Sequence, residues 1–239
     1  GTHEGTNRYE YGDANLTSET SLQLDAGLEY NNDHIGFSFT GFYNQINNYI
    51  FYSKLSSTLG GDSLVQVNGQ DLTAFTFRQN GARLIGFETK FDLHPHPLDW
   101  LHFENTLSVV SGRFNALIDG SDYIPFMPPA RLQSELRADI KNWKLLRNGY
   151  FKIELDRAAS QKKIFTGFDT ETITPSYALI HVGLGGNIDF KNKTLFSFAL
   201  SVNNLTDVAY QSHLSRLKYT ALNVLSGRSG VFNMGRSIN

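Results

Sequence analysis

The strongest constraint on this chain is an alternation of apolar and polar side chains, sustained over stretches longer than an ordinary sheet requires. In Arg131–Ile140 (RLQSELRADI) the even positions read Leu132, Ser134, Leu136, Ala138 and Ile140, and the odd positions read Arg131, Gln133, Glu135, Arg137 and Asp139. The pattern recurs around Leu22–Tyr30, Phe37–Tyr43, Ile85–Leu93, Leu101–Val109, Phe151–Leu155, Ile180–Phe190 and Phe196–Val202, which makes eight strands of period two and leaves no helical stripe. The strands run to about ten residues or more. Globular strands average about five to six, whereas a strand crossing a bilayer needs about nine to eleven. Length therefore predicts an all-β, antiparallel up-and-down transmembrane β-barrel. The rows Leu132–Leu136–Ile140 would face lipid, and Arg131–Glu135–Arg137–Asp139 would face a wet lumen.

The connections point the same way. Short links (Asn31–His34, His94–Asp99, Lys141–Asn148, Lys191–Lys193) alternate along the chain with long ones (Ser53–Asn80, Phe114–Pro129, Gln161–Tyr177, Asp207–Asn233). In a meander, alternate links fall at opposite ends, so short turns gather at one rim and long loops at the other. Outer-membrane barrels have that asymmetry, and a soluble sandwich has no reason for it. Lipid offers the backbone no hydrogen-bond partner, so the sheet must close, and closure round a usable lumen needs more strands than these.

Composition narrows the partners. A net charge of -2 over 239 residues gives no electrostatic reason to expect nucleic acid. There is no cysteine, which excludes disulfides and thiolate metal sites. Mean hydropathy is -0.30, and no run of about 18 apolar residues exists to make a transmembrane helix. The sequence opens as if in mid-loop, shows no signal peptide at Gly1 and stops abruptly at Asn239, so a piece of a longer protein is expected.

Several stretches resemble one family. His3–Tyr30 resembles the approach to a late barrel strand in TonB-dependent outer-membrane receptors, with Asp13 where the family's run has Asn. Phe42–Tyr52 (FYNQINNYIFY) and Arg78–Glu88 (RQNGARLIGFE) resemble the next two strands. Ile124–Arg137 carries the I-P…P-P-x-R pattern, Ser201–Tyr219 the N-L-x-D-x-x-Y run, and Gly235–Asn239 the start of the last strand. The resemblance implies a barrel of about 22 strands filled by an N-terminal plug domain. Residues 1–239 would supply the C-terminal part of that barrel, about eight to nine strands, with the plug absent from this chain. It further implies a bacterial outer-membrane receptor that imports a scarce nutrient, such as an iron–siderophore complex or zinc. Its partners would be outer-membrane lipid, the plug, the TonB energy-transducing complex and an extracellular metal complex or other small ligand.

Candidate ligand-binding residues are His3, Glu4, Arg8 and His213. Histidine and carboxylate converging at the barrel mouth would suit a metal or its complex; the alternative is that these are solvated loop residues. Arg8 with Tyr9 and Tyr11 would grip an anionic or aryl chelate, or the tyrosines would join the interfacial aromatic girdle. Tyr43, Tyr49, Phe51, Trp100 and Tyr150 are the better girdle candidates. His94 and His96 have chelate spacing but lie in a short turn, where Pro95 and Pro97 stop strand pairing. Gly183–Gly186 (GLGG) lies inside a strand, where glycine marks a close approach rather than a phosphate loop. The sequons at Asn15, Asn192 and Asn204 carry no weight in a bacterial outer membrane. No catalytic set, resident metal or cofactor is expected. The competing functions are another outer-membrane barrel, either enzyme or adhesin, and a soluble carbohydrate-binding sandwich.

Overall fold

The computed structural model describes residues 1–3, 8–167, 171–191, 193–219, 222–223 and 228–239. Two short strands, β1 (Thr2–His3) and β2 (Arg8–Tyr11), lead into β3 (Thr20–Asn31) and β4 (Ile35–Lys54). The short β5 (Leu64–Val67) precedes β6 (Gln70–Leu93), β7 (Leu101–Ile118) and the three-residue β8 (Ser121–Tyr123). Then come β9 (Arg131–Trp143), β10 (Leu146–Ala158), β11 (Tyr177–Phe190) and β12 (Lys193–Asn203). A hairpin of β13 (Leu222–Asn223) and β14 (Arg228–Ser229) stands apart, and β15 (Ser237–Ile238) returns to pair with β12.

The eight expected strands are all present. They form one antiparallel meander in the order β3-β4-β6-β7-β9-β10-β11-β12. Extensive contacts between strands are confined to hydrogen-bonded neighbours. No second layer is stacked on the sheet among the described residues, so the apolar rows are not the inside of a sandwich. Leu22, Leu24 and Leu28 stand 64–66% exposed on one face. On the other face ion pairs bridge strands: Lys152 Nζ meets Glu135 Oε2 at 2.7 Å, and Arg131 binds Asp156 through two bonds of 2.8 and 2.7 Å.

One polar pair breaks the apolar row. Asn105 and Ser134 are register partners on the Phe103–Leu136 face, and Ser134 Oγ donates to Asn105 Oδ1 at 2.7 Å. The bond engages the Ser134 hydroxyl hydrogen and the Asn105 side-chain oxygen. The short-turn rim is ringed by exposed Tyr30, Trp100, Trp143 and Phe190, the placement expected of an interfacial girdle.

At the opposite end two strands outrun the rest. β4 has 20 residues and β6 has 24, roughly twice what a bilayer crossing needs. The expected long loop Ser53–Asn80 is therefore largely ladder, reaching Lys54 opposite Phe75. A bulge separates the two halves of β4. Ile46 faces Ala82, but Tyr49 faces Asn80, so β4 spends one residue more than β6, and Asn48 takes φ 56°. Asparagine tolerates that left-handed backbone better than most residues. The extra residue reverses the parity of everything above it. Tyr49 and Phe51, expected on the girdle, turn inward instead. Phe51 joins a buried cluster with Phe75, Ala82, Phe114, Ile118, Ile124 and Phe165. Tyr150 also departs from the girdle: it shares the polar face with Lys152, lies 4.4 Å under the Arg137 guanidinium, and covers Gly185 so closely that a Cβ there would meet its ring at 2.7 Å. The glycine run thus marks a close approach, as its sequence suggested.

Candidate functional site at the loop rim

The long loops fold inward over the polar face. Ile124 N–H donates to Gly112 O at 3.3 Å, and Gln161 Nε2 donates to Met127 O at 2.8 Å, which ties the β8–β9 loop to the loop after β10. Beneath them the polar face bounds a concavity of about 820 Å³, with Glu88, Gln133, Asp156, Tyr177 and Tyr210 on its wall.

A smaller cavity of about 200 Å³ lies at the rim between Arg8, Tyr49, Phe51, Tyr52, Phe75, Phe126 and Arg216. Its walls come from β2, β4, β6, the β8–β9 loop and the turn that carries Arg216. β2 runs parallel to the upper part of β6, and this sets the Arg8 guanidinium 4.1 Å above the Tyr52 ring and 5.1 Å from Phe75. Arg8 Nε also donates to Glu10 Oε1 at 2.6 Å. Phe126 enters from the β8–β9 loop with φ 59°, a backbone state that a bulky aromatic holds only when its surroundings fix it. Those surroundings are Arg216, whose guanidinium sits 4.2 Å above the Phe126 ring, and Tyr219, edge-on at 6.1 Å. Arg216 has no carboxylate partner among the described residues. The cavity therefore offers aromatic faces, one neutralised cation and one cation without a carboxylate partner among the described residues.

A buried polar knot holds Arg216 in place. The short 3-10 turn Arg216–Tyr219 carries Lys218, which donates to Thr172 O at 2.8 Å, Ile173 O at 3.1 Å and Thr174 Oγ1 at 2.6 Å. An ammonium can only donate, so Thr174 Oγ1 accepts from it, and the same oxygen is hydrogen-bonded to His213 Nδ1 at 2.7 Å. His213 then donates from Nε2 to Glu171 Oε1 at 2.7 Å, and Glu171 also accepts from Phe165 N–H at 3.0 Å. Burial pulls the Lys218 ammonium below its ordinary range, against the smaller opposing pull of the Glu171 charge. Tyr219 is pushed the other way, mainly by burial.

The four residues expected at the mouth fall in different situations. Arg8 lines the cavity. His3 pairs with Arg8 in the β1–β2 ladder, and Glu4 lies outside the described residues. His213 is fully enclosed, with both ring nitrogens engaged. Sequence reasoning missed Arg216, Lys218 and Phe126. Arg216 and Lys218 flank His213 closely, but nothing in their spacing marks which of them reaches a cavity. Asn204, in a sequon, is buried and caps its own turn through Val208 N and O; Asn192 lies outside the described residues. Among the described residues no three His, Cys, Asp or Glu side chains are grouped to hold a metal.

A single antiparallel layer with an apolar outward face, a charged inward face and inward-folded loops at one rim defines a segment of a large transmembrane β-barrel. The chain matches the family described as TonB dependent receptor-like, beta-barrel over residues 1–205, and it belongs to that family. Solved structures of similar fold include the copper transporter OprC, at 17% identity, TM-score 0.72, with 94% of this chain and 31% of that one covered. The ferric yersiniabactin uptake receptor FyuA from Yersinia pestis aligns at 16% identity and TM-score 0.60, over 92% of this chain and 29% of that one. The siderophore receptor PirA from Acinetobacter baumannii aligns at 17% identity and TM-score 0.61, over 96% and 32%. At such identities the likeness is one of fold. The chain spans about a third of the length of these proteins.

Proposed function

We propose that this chain is the C-terminal part of the barrel of a bacterial outer-membrane receptor that captures an anionic metal chelate, of the iron–siderophore kind, and imports it with energy from TonB. The observation that carries this reading is Arg216, stacked on Phe126 with no acidic partner among the described residues, across the cavity from Arg8 and Tyr52. A planar guanidinium binds oxyanions through paired donors, and aromatic faces bind aryl groups beside it. Arg8 and Arg216 are the contact residues, with His3 beside Arg8 in the neighbouring ladder. His213 holds the loop that presents Arg216. Ligand binding would tighten that loop system, and a pull on an N-terminal plug would then open a path along the charged lumen face.

The test is equilibrium binding to the intact receptor in detergent, with a triscatecholate iron complex compared against a neutral iron chelate. The anionic complex should bind preferentially, and Arg216→Ala should weaken it about tenfold or more, the loss of one charged hydrogen bond. Equal affinity for both complexes, unchanged in the variant, would instead favour an adhesin or another outer-membrane role for the loops. The sandwich alternative is already excluded by the single-layered sheet.

A further inference from the structure

The chelate spacing in the sequence pairs His94 with His96, but the fold pairs His94 with His102. These two histidines lie at the short-turn rim, at the opposite end of the strands from the Arg216 cavity. His94 follows β6, and His102 is the second residue of β7, opposite Arg137 of β9. Their Nδ1 atoms point at each other across 2.8 Å, with the rings nearly perpendicular at 85°. Each outer nitrogen faces a carboxylate: His94 Nε2 lies 2.9 Å from Asp92 Oδ1, and His102 Nε2 lies 3.0 Å from Asp139 Oδ2. Asp139 is in turn held by Arg137 Nε at 2.8 Å. His96 takes no part; it contacts Asp99 at 3.3 Å and leans on His34.

Two imidazole nitrogens at this distance cannot both present lone pairs, nor both present hydrogens. A hydrogen must lie between them, carried by one ring and accepted by the other. Carboxylate oxygens lie within 3.0 Å of both outer nitrogens, the neighbours that commonly stand behind metal-bound histidines. Asp92 Oδ1 is buried, and its contact with His94 Nε2 is not a well-aligned hydrogen bond, so its charge keeps capacity for a more positive ring beside it. We propose that His94 and His102 form a two-imidazole seat for a borderline divalent ion such as Zn²⁺. The ion would replace the bridging proton and keep water on its remaining positions, since no third protein ligand is grouped there among the described residues. Zinc–nitrogen bonds of about 2.0–2.1 Å at a tetrahedral angle set the nitrogens about 3.3 Å apart, so the rings need part by only about 0.5 Å.

Titration of ZnCl₂ into the intact receptor in detergent, followed by calorimetry, tests this seat. The receptor should hold one saturable Zn²⁺ that both His94→Gln and His102→Asn remove. Asp139→Asn should weaken it about 10–100-fold. His34→Asn, His96→Gln and Arg216→Ala should leave it unchanged, the last because it addresses the loop rim. Co²⁺ absorption bands lost in the same two variants give a second readout, and unchanged mobility in cold SDS shows that the barrel still folds. Zinc binding that survives both His94→Gln and His102→Asn, or disappears with His34→Asn or His96→Gln, overturns the assignment, as does the absence of saturable binding.

Discussion

β4 is two strands in one. Below Asn48 its outward residues Phe39 and Tyr43 stand 37% and 39% exposed; above it Phe51 falls to 6%, packed 4.7 Å from Phe114. The residue types hardly differ between the halves. What differs is the medium each half is built to meet. The lower half leaves its apolar side chains uncovered, which makes sense only if hydrocarbon covers them. The upper half stands where lipid cannot cover it and builds a core of its own, with Ile124 and Phe165 brought down from the loops. Apolar residues thus stabilise the lower half through the membrane and the upper half through burial within the chain.

The largest expected break in that comparison is Phe114→Ala. Phe114 is 2% exposed at the centre of the upper core, so truncation should destabilise it by about 3–5 kcal/mol, while Phe39→Ala on the lower half should leave aqueous loop packing untouched. Urea unfolding monitored separately in the loops and in the barrel measures both. Next comes Leu136→Arg, which places a charge on the outward face beside Phe103 and should cost about 2–4 kcal/mol in lipid vesicles. A cost that persists in detergent-free aqueous assembly would show that protein, not lipid, lies against Leu136. Glu135→Gln, one residue away on the inward face, loosens the Lys152 pair, although Lys152 keeps Glu154 at 3.6 Å; a loss of about 1 kcal/mol or less is expected in the same assay. The smallest effect concerns pH. Burial lowers the Lys218 pKa in the folded loops, so the unfolded loops bind more protons in the window below the ordinary lysine value of 10.5. Loop stability should therefore rise as pH climbs through that window, and Lys218→Met should flatten the trend in a thermal scan.

The lower half was legible in the sequence because a period of two is a direct consequence of the pleat. Leu132 to Ile140 shows which face is which without any knowledge of neighbours. The upper half was not legible, for the same reason. Once Asn47–Asn48 adds a residue, counting by twos assigns Tyr49 and Phe51 to the wrong side, and asparagine pairs are too common to announce a bulge. Tyr150 could have been placed correctly, since it shares parity with Lys152; the expectation of aromatic girdles overrode the count. The rim cavity was half visible. Arg8, singled out for its aromatic neighbours, lines the cavity, but Arg216 depends on a loop whose path is set by a buried knot of Glu171, Thr174, His213 and Lys218, residues far apart in sequence. The histidine pair was not legible for a similar reason: the sequence reads His94 and His96 as part of a proline-stopped turn, while the fold brings His94 to His102.

The Asn105–Ser134 bond on the greasy side of the wall ties the fates of two distant codons. Either residue changed alone would strand its partner's dipole in a medium with nothing to offer it, whereas a simultaneous swap to two hydrocarbons of similar shape would pass almost unnoticed. Such a doublet resists drift one step at a time and yields readily to two.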